Sequence, residues 1–159
     1  MLILLLSFFV VIIDQATKYL VMYHIPLRRQ IPIIDGFFNL VHVHNTGAAW
    51  GMLRGLNGYL IALSIIVLII MTLFRRAIME DVFFQRIAAG LIIGGIIGNL
   101  FDRLHFGYVV DFLDFYLYGK HFPSFNVADS AICVGAGIYI LSQMISAKKQ
   151  SAASMSPSG

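Results

Sequence analysis

Four apolar runs, at residues 2–23, 56–74, 87–104 and 127–147, constrain the fold more than any other feature of this chain. A helix needs about 20 apolar residues to cross a hydrocarbon core roughly 30 Å thick, and each run is near that length. Of the 159 residues, 59% are hydrophobic and only 12% are charged, about half the charge of an ordinary soluble domain. The expected fold is therefore an all-α integral membrane protein with four transmembrane helices. The length fits one domain, residues 1–147, followed by a polar tail at 148–159, "KKQSAASMSPSG", that reads as disordered. The first run is not expected to be a cleaved leader. It lacks a basic start, and "VIIDQATKYL" places charges where a cleavage region is small and neutral.

The links between the runs differ in character. Residues 24–55 form a long link with Pro26, Pro32 and Gly36, and its stretch "FFNLVHVHN" reads as short strands. Residues 75–86 form a short charged link. Residues 105–126 form a second long link, rich in aromatics and broken by Gly119 and Pro123. Four crossings put both termini on one side and both long links on the other. Counting Lys and Arg does not orient the chain. Arg75, Arg76, Arg86, Lys148 and Lys149 lie on one side, while Lys18, Arg28, Arg29, Arg54, Arg103 and Lys120 lie on the other. The net charge of +3 forms no basic patch interleaved with aromatics, so no nucleic-acid partner is expected. The single cysteine, Cys133, excludes an intramolecular disulfide.

Ionisable groups in membrane segments are costly and face a partner or a wet cavity. Asp14 and Lys18 are four residues apart on the first helix, acid first, a spacing that suits an ion pair. Structural support is favoured for them over a place around a site. Asn99, Asp102 and Arg103 end the third run, and Asn99 shares a face with each of the other two, at spacings of three and four. Arg103 can pin a carboxylate or a substrate carbonyl, and Asp102 reads as a paired structural acid. In "FPSFNVADSA", Pro123 stops any preceding helix and Asn126 is a candidate N-cap. That places Asp129 in the first turn, where the helix dipole favours an anion. "VVDFLDF", residues 109–115, holds Asp111 and Asp114. A separation of three puts them on opposite faces of a strand and on one face of a helix, so spacing alone does not choose between them. An anchor at the membrane interface suits Asp114.

The glycines at 90, 94 and 98, with Gly95 alongside, recur at helical spacing and let neighbouring helices approach closely. "HNTGAAWG", residues 44–51, places Asn45 and Gly47 ahead of the second run, which alone is a turn before a helix. His42 and His44 alternate along an expected strand. Zinc centres gather three or four convergent ligands, and the chain has no "HExxH" and no cysteine pair. No metal and no cofactor are expected.

Taken in order, "IDQATK", "NTGAAWG", "GNLFDR", "VVDF" and "FNVADSA" resemble the bacterial lipoprotein signal peptidases (signal peptidase II), across nearly the whole chain except the tail. The resemblance implies an inner-membrane aspartic endopeptidase with four transmembrane helices. Such an enzyme cuts a prolipoprotein N-terminal to a diacylglyceryl-modified cysteine, so its partners are that substrate and membrane lipid. Carried over by motif, the catalytic pair is Asp111 and Asp129. Asn45, Gly47, Asn99, Arg103 and Asn126 become contacts around substrate or site, and Asp14, Lys18 and Asp102 become structural support. The resemblance also implies cytoplasmic termini, a site near the outer surface, and a small β-rich cradle there built from the first long link. Two features depart from the family pattern: the first helix begins almost at Met1, and "VHVHN" sets two histidines before the amide. A transporter or channel component is the rival reading of the intramembrane acids. It calls for polar groups spread through the membrane depth, whereas the second run is bare and the acids lie toward the long links.

Overall fold

The computed structural model describes residues 1–47, 52–53, 55–74 and 83–154. Ala48, Ala49, Trp50 and Gly51 of "NTGAAWG" and residues 75–82 of the charged link lie outside the described residues. The elements, in chain order, are α1 (Leu2–His24), β1 (Gln30–Ile34), β2 (Phe38–Asn45), α2 (Asn57–Leu73), α3 (Phe83–His105), β3 (Val109–Leu117), β4 (Lys120–His121) and α4 (Val127–Ser154).

Helix α3 is the centre of the bundle and packs against α1, α2 and α4. Its glycines make this possible on two faces. A Cβ on Gly94 would lie 2.7 Å from Val10 Cβ, and one on Gly98 would lie 2.6 Å from Asp14 Oδ2. Gly90, Gly94 and Gly98 thus form the seat for α1. Gly95 meets the Ala128 carbonyl and Ile132 of α4. The contact is reciprocal, since a Cβ on Gly135 of α4 would lie 2.9 Å from the Ala88 carbonyl oxygen of α3. The opposite face of α1 leaves Leu4, Phe8, Ile12 and Tyr19 exposed, as a helix bathed in lipid requires.

Among the described residues, three helices are long and apolar enough to cross a membrane: Leu2–His24, Phe83–His105 and Val127–Lys148. Helix α2 is as apolar but has 17 residues, or about 26 Å at 1.5 Å per residue, just short of a hydrocarbon core. The expectation of four membrane-length helices is met by three and a shorter fourth.

The strands form one antiparallel sheet in the order β1-β2-β3-β4. The first long link supplies β1 and β2, which join through a tight turn in which Gly36 has φ 78°. The second long link supplies β3 and β4. A cradle from the first link alone is therefore corrected: "VVDFLDF" is strand β3, paired with β2 from Phe38↔Phe115 to Asn45↔Val109, with a shift of register between Leu40 and Val43. Val110 and Phe112 of β3 pack on Val21 and Ile25 at the end of α1. This small core fixes the sheet to the end of the bundle where α1 and α3 finish and α4 begins.

Helix α4 continues to Ser154, past the end of the apolar run at residue 147. The disordered-tail expectation is corrected to that extent. Lys, Gln and Ala are good helix formers, so the polar stretch extends the helix once α4 is nucleated.

Candidate active site

The first turn of α4 is built by a reciprocal cap. The Asn126 side-chain oxygen accepts the Asp129 amide N–H at 2.9 Å, and Asp129 Oδ2 accepts the Asn126 N–H at 3.3 Å. Two of the helix's free N–H groups are satisfied this way. The remaining half of the Asn126 amide faces β3: its Nδ2 donates to Asp111 Oδ1 at 2.8 Å. One fully buried residue, Asn126, therefore contacts two carboxyl groups that are 18 positions apart in sequence, that of Asp111 through its side-chain amide and that of Asp129 through its backbone N–H. Each acid has a second amide donor. Asn45 Nδ2 donates to Asp111 Oδ2 at 2.9 Å, and Asn99 Nδ2 donates to Asp129 Oδ1 at 2.7 Å.

Asp111 and Asp129 line one cavity of about 400 Å³ with Asn45, Asn99 and Arg103. Its other walls are largely apolar and include Phe122, Phe125 and Ile132. A second, more open cavity of about 900 Å³ borders the sheet and also reaches Asp111. Asp111 thus sits between an apolar chamber and a polar opening. Burial, followed by the neighbouring charge of Asp129, pushes the Asp111 carboxyl up to about 7, against the amide bonds from Asn45 and Asn126 that lower it. Near neutrality this acid is divided between its protonated and ionised forms.

Arg103 reaches the site from the last turn of α3. It donates from Nη2 to the Gly47 carbonyl at 3.3 Å and from Nη1 to the Asn99 carbonyl at 3.4 Å. Gly47 is in turn fixed by its N–H to Asn45 Oδ1 at 2.9 Å. Gly47 therefore contributes backbone, holding Asn45 on one side and Arg103 on the other.

Behind the pair lies a buried ion cluster. Lys18 Nζ meets Asp14 Oδ2 at 2.8 Å, Asp102 Oδ2 at 2.9 Å and Asn99 Oδ1 at 3.0 Å. All three of its protons are used. Asp14 Oδ1 accepts the Ala128 N–H at 2.9 Å, another free donor of the α4 first turn, and Asp102 Oδ2 accepts the Val110 N–H at 3.1 Å. The cluster ties α1, α3, β3 and α4 together directly beneath Asn99 and Asn126. Gln15 completes it, donating to Asp102 Oδ1 at 2.8 Å. Sequence reasoning passed over Gln15, although an amide between Asp14 and Lys18 in an apolar helix was the available signal.

Asp114 is turned inward among the strands. It is buried, accepts from Asn39 Nδ2 at 2.9 Å and bonds His121 Nδ1 at 2.9 Å. Its partners lie on β2 and β4, so it joins strands. Asn39 and His121 were also missed, because neither is near Asp114 in any local pattern. His42 and His44 lie together: His42 Nδ1 bonds the Ile25 carbonyl at 2.7 Å, and the two Nε2 atoms are 3.1 Å apart. Burial, His42 and Arg28 together lower the His44 pKa. Among the described residues, no group of three or more His, Cys, Asp or Glu is placed to hold a metal ion.

The family model for signal peptidase (SPase) II matches residues 6–145. The chain is similar to the lipoprotein signal peptidase of Syntrophotalea carbinolica, at 43% identity over 88% of this chain and 89% of the relative. It is also similar to that of Symbiobacterium thermophilum, at 41% identity over 96% of this chain and all of the relative. Among solved structures, it superposes on a bacterial membrane enzyme determined by the in meso method. The TM-score is 0.84 at 33% identity, covering 99% of this chain and 94% of the other.

Proposed function

The chain belongs to the signal peptidase II family, and on that premise we propose that it is a membrane aspartic endopeptidase whose dyad is Asp111 and Asp129. Its substrate is a prolipoprotein carrying diacylglyceryl on a cysteine, and it removes the signal peptide by cutting on the N-terminal side of that cysteine. The observation that carries this reading is the shared cavity, in which two carboxyls face one space and one buried residue, Asn126, donates to both, from its side-chain amide to Asp111 and from its backbone N–H to Asp129.

Two carboxyls brought close do not both ionise easily, so the pair holds one proton near neutral pH. The ionised member takes a proton from a water molecule while the protonated member hydrogen-bonds the scissile carbonyl. Water oxygen attacks the carbonyl carbon and gives a tetrahedral intermediate. A carboxyl then protonates the departing cysteine nitrogen as the C–N bond breaks. The dyad titrates as a unit, so neither acid is given a fixed first role. The amides of Asn45, Asn99 and Asn126 keep the carboxyl oxygens in place, and Arg103 stands at the cavity wall to orient the substrate. The ion cluster of Asp14, Lys18 and Asp102 supports these amides from behind.

The same reading places the chain in the bacterial cytoplasmic membrane as one domain with four crossings and cytoplasmic termini. The dyad lies near the outer surface beside the sheet. There the apolar cavity wall suits the end of a signal helix and a lipid chain, and the open cavity admits water. Among the described residues the acids gather at the sheet end of the bundle and α2 carries none, which argues against a transport path through the membrane depth.

The test is cleavage of a diacylglyceryl-modified prolipoprotein by purified protein in detergent, with EDTA present and the product read by mass spectrometry. The expected product begins at the lipid-bearing cysteine. An uncut substrate, or a cut elsewhere, would overturn the proposal.

A further inference from the structure

His42 and His44 are drawn together by contacts that leave one nitrogen of each ring pointing at the other. A carbonyl oxygen only accepts, so His42 Nδ1 carries the proton it gives to Ile25, and its Nε2 holds a lone pair. A histidine that ligates a metal commonly has its other N–H engaged by a backbone carbonyl in this way, which fixes the tautomer and the ring. The His44 ring is held independently by stacking on Tyr108, with centroids 3.7 Å apart and planes 14° apart. His42 is buried, whereas His44 borders the open 900 Å³ cavity, so solvent and ions reach the pair from its side.

The separation of the two Nε2 atoms, 3.1 Å, is informative. With metal–nitrogen bonds of about 2.05 Å, two imidazoles on one tetrahedral ion have nitrogens roughly 3.3 Å apart. Two adjacent ligands on a square-planar ion have them roughly 2.9 Å apart. The pair lies between these values before any ion is added. Spacing of i and i+2 on a strand puts both rings on one side of β2, so the chelate needs no backbone movement.

We propose that His42 and His44 form a two-histidine site for a late divalent transition metal, Cu(II) or Zn(II), at the rim of the sheet and separate from the Asp111–Asp129 pair. On binding, the His44 proton moves from Nε2 to Nδ1, and the ion takes the place of the hydrogen bond between the rings. Water from the cavity fills the remaining positions, since no third His, Cys, Asp or Glu joins them among the described residues. Arg28 also lines this cavity, and its charge opposes the ion. The site therefore exchanges its metal rather than trapping it. Asn45, which donates to Asp111, follows His44 directly in the chain, so occupancy is one residue removed from the dyad's amide contact.

The experiment uses the full chain, untagged, stripped of metal and held in detergent. Cu(II) is followed by electron paramagnetic resonance and Zn(II) by calorimetry and by the shift in Tm. One ion per chain is expected, with two imidazole nitrogens coupled to copper. His44→Phe keeps a ring on Tyr108 but removes a ligand, and it should weaken binding at least about tenfold and abolish the Tm shift. His44→Gln should do the same, which guards against a defect peculiar to the phenyl ring. Arg28→Gln should tighten binding several-fold, and His121→Ala should leave it unchanged. Absence of binding to the wild-type chain would overturn the proposal. So would a His44→Phe or His44→Gln protein that binds as the wild type does.

Discussion

Asp111 and Asp114 sit three residues apart on β3, both are buried, and each accepts a 2.9 Å bond from an asparagine of β2. They differ in their remaining company. Asp111 shares Asn126 and a cavity with a second acid, Asp129, whereas Asp114 meets an imidazole, His121. An acid beside an acid is held short of full ionisation and keeps a proton to exchange. An acid beside a base is satisfied and holds strands together. What surrounds a carboxyl, more than its depth, separates the proposed chemistry from structure.

The largest expected effect is on the acid side of this comparison. Asp129→Asn should lower cleavage of a lipid-modified prolipoprotein by roughly 10²–10⁴-fold or more, while the protein still elutes as a folded species. Lys18→Met comes next. It leaves Asp14 and Asp102 together in a buried cluster, and removing one partner of a buried ion pair costs about 3–5 kcal/mol. Unfolding by denaturant in detergent measures that loss, for which the Asp114 cluster has no counterpart.

The pH profile sharpens the contrast further. The Asp111 carboxyl is raised to about 7. As pH rises through that value the pair loses its shared proton and becomes doubly ionised. Cleavage should therefore fall on the alkaline side, by about tenfold per unit well above the pKa. The same alkaline limb should persist in Asp114→Asn. The smallest effect is expected at Asp114 itself. Asp114→Leu strands the Asn39 amide without an acceptor and should destabilise by about 1–3 kcal/mol, read as a lower Tm with cleavage largely retained.

Much of the bundle was legible because its causes are local. Apolar runs give helices, glycines at four-residue spacing give the faces of α3, and an asparagine three residues before an aspartate gives the α4 cap. The sheet was only half legible. β2 shows alternation in "FFNLVHVHN", but its pairing of Asn45 with Val109 spans a separation that no local pattern encodes. The strand-joining contacts of Asp114 were hidden for the same reason: Asn39 is 75 positions away, and His121 lies across a turn. Helix α2 was counted as a membrane crossing from its apolarity, although its 17 residues fall short of the other three helices. Gln15 was hidden by its neighbours, since charges in a membrane segment draw notice before amides do.

The central claim rests on a difference between two acids of one strand, and one assay addresses it. Purified Asp111→Asn and Asp114→Asn proteins are given the same diacylglyceryl-modified prolipoprotein, and initial cleavage rates are compared with the wild type. The amide at 114 still accepts from Asn39 and donates to His121, so its rate should stay within a few-fold of wild type. The amide at 111 removes the exchangeable proton, so its rate should fall to background. Full activity in Asp111→Asn, or an equal loss in both proteins, would contradict the account.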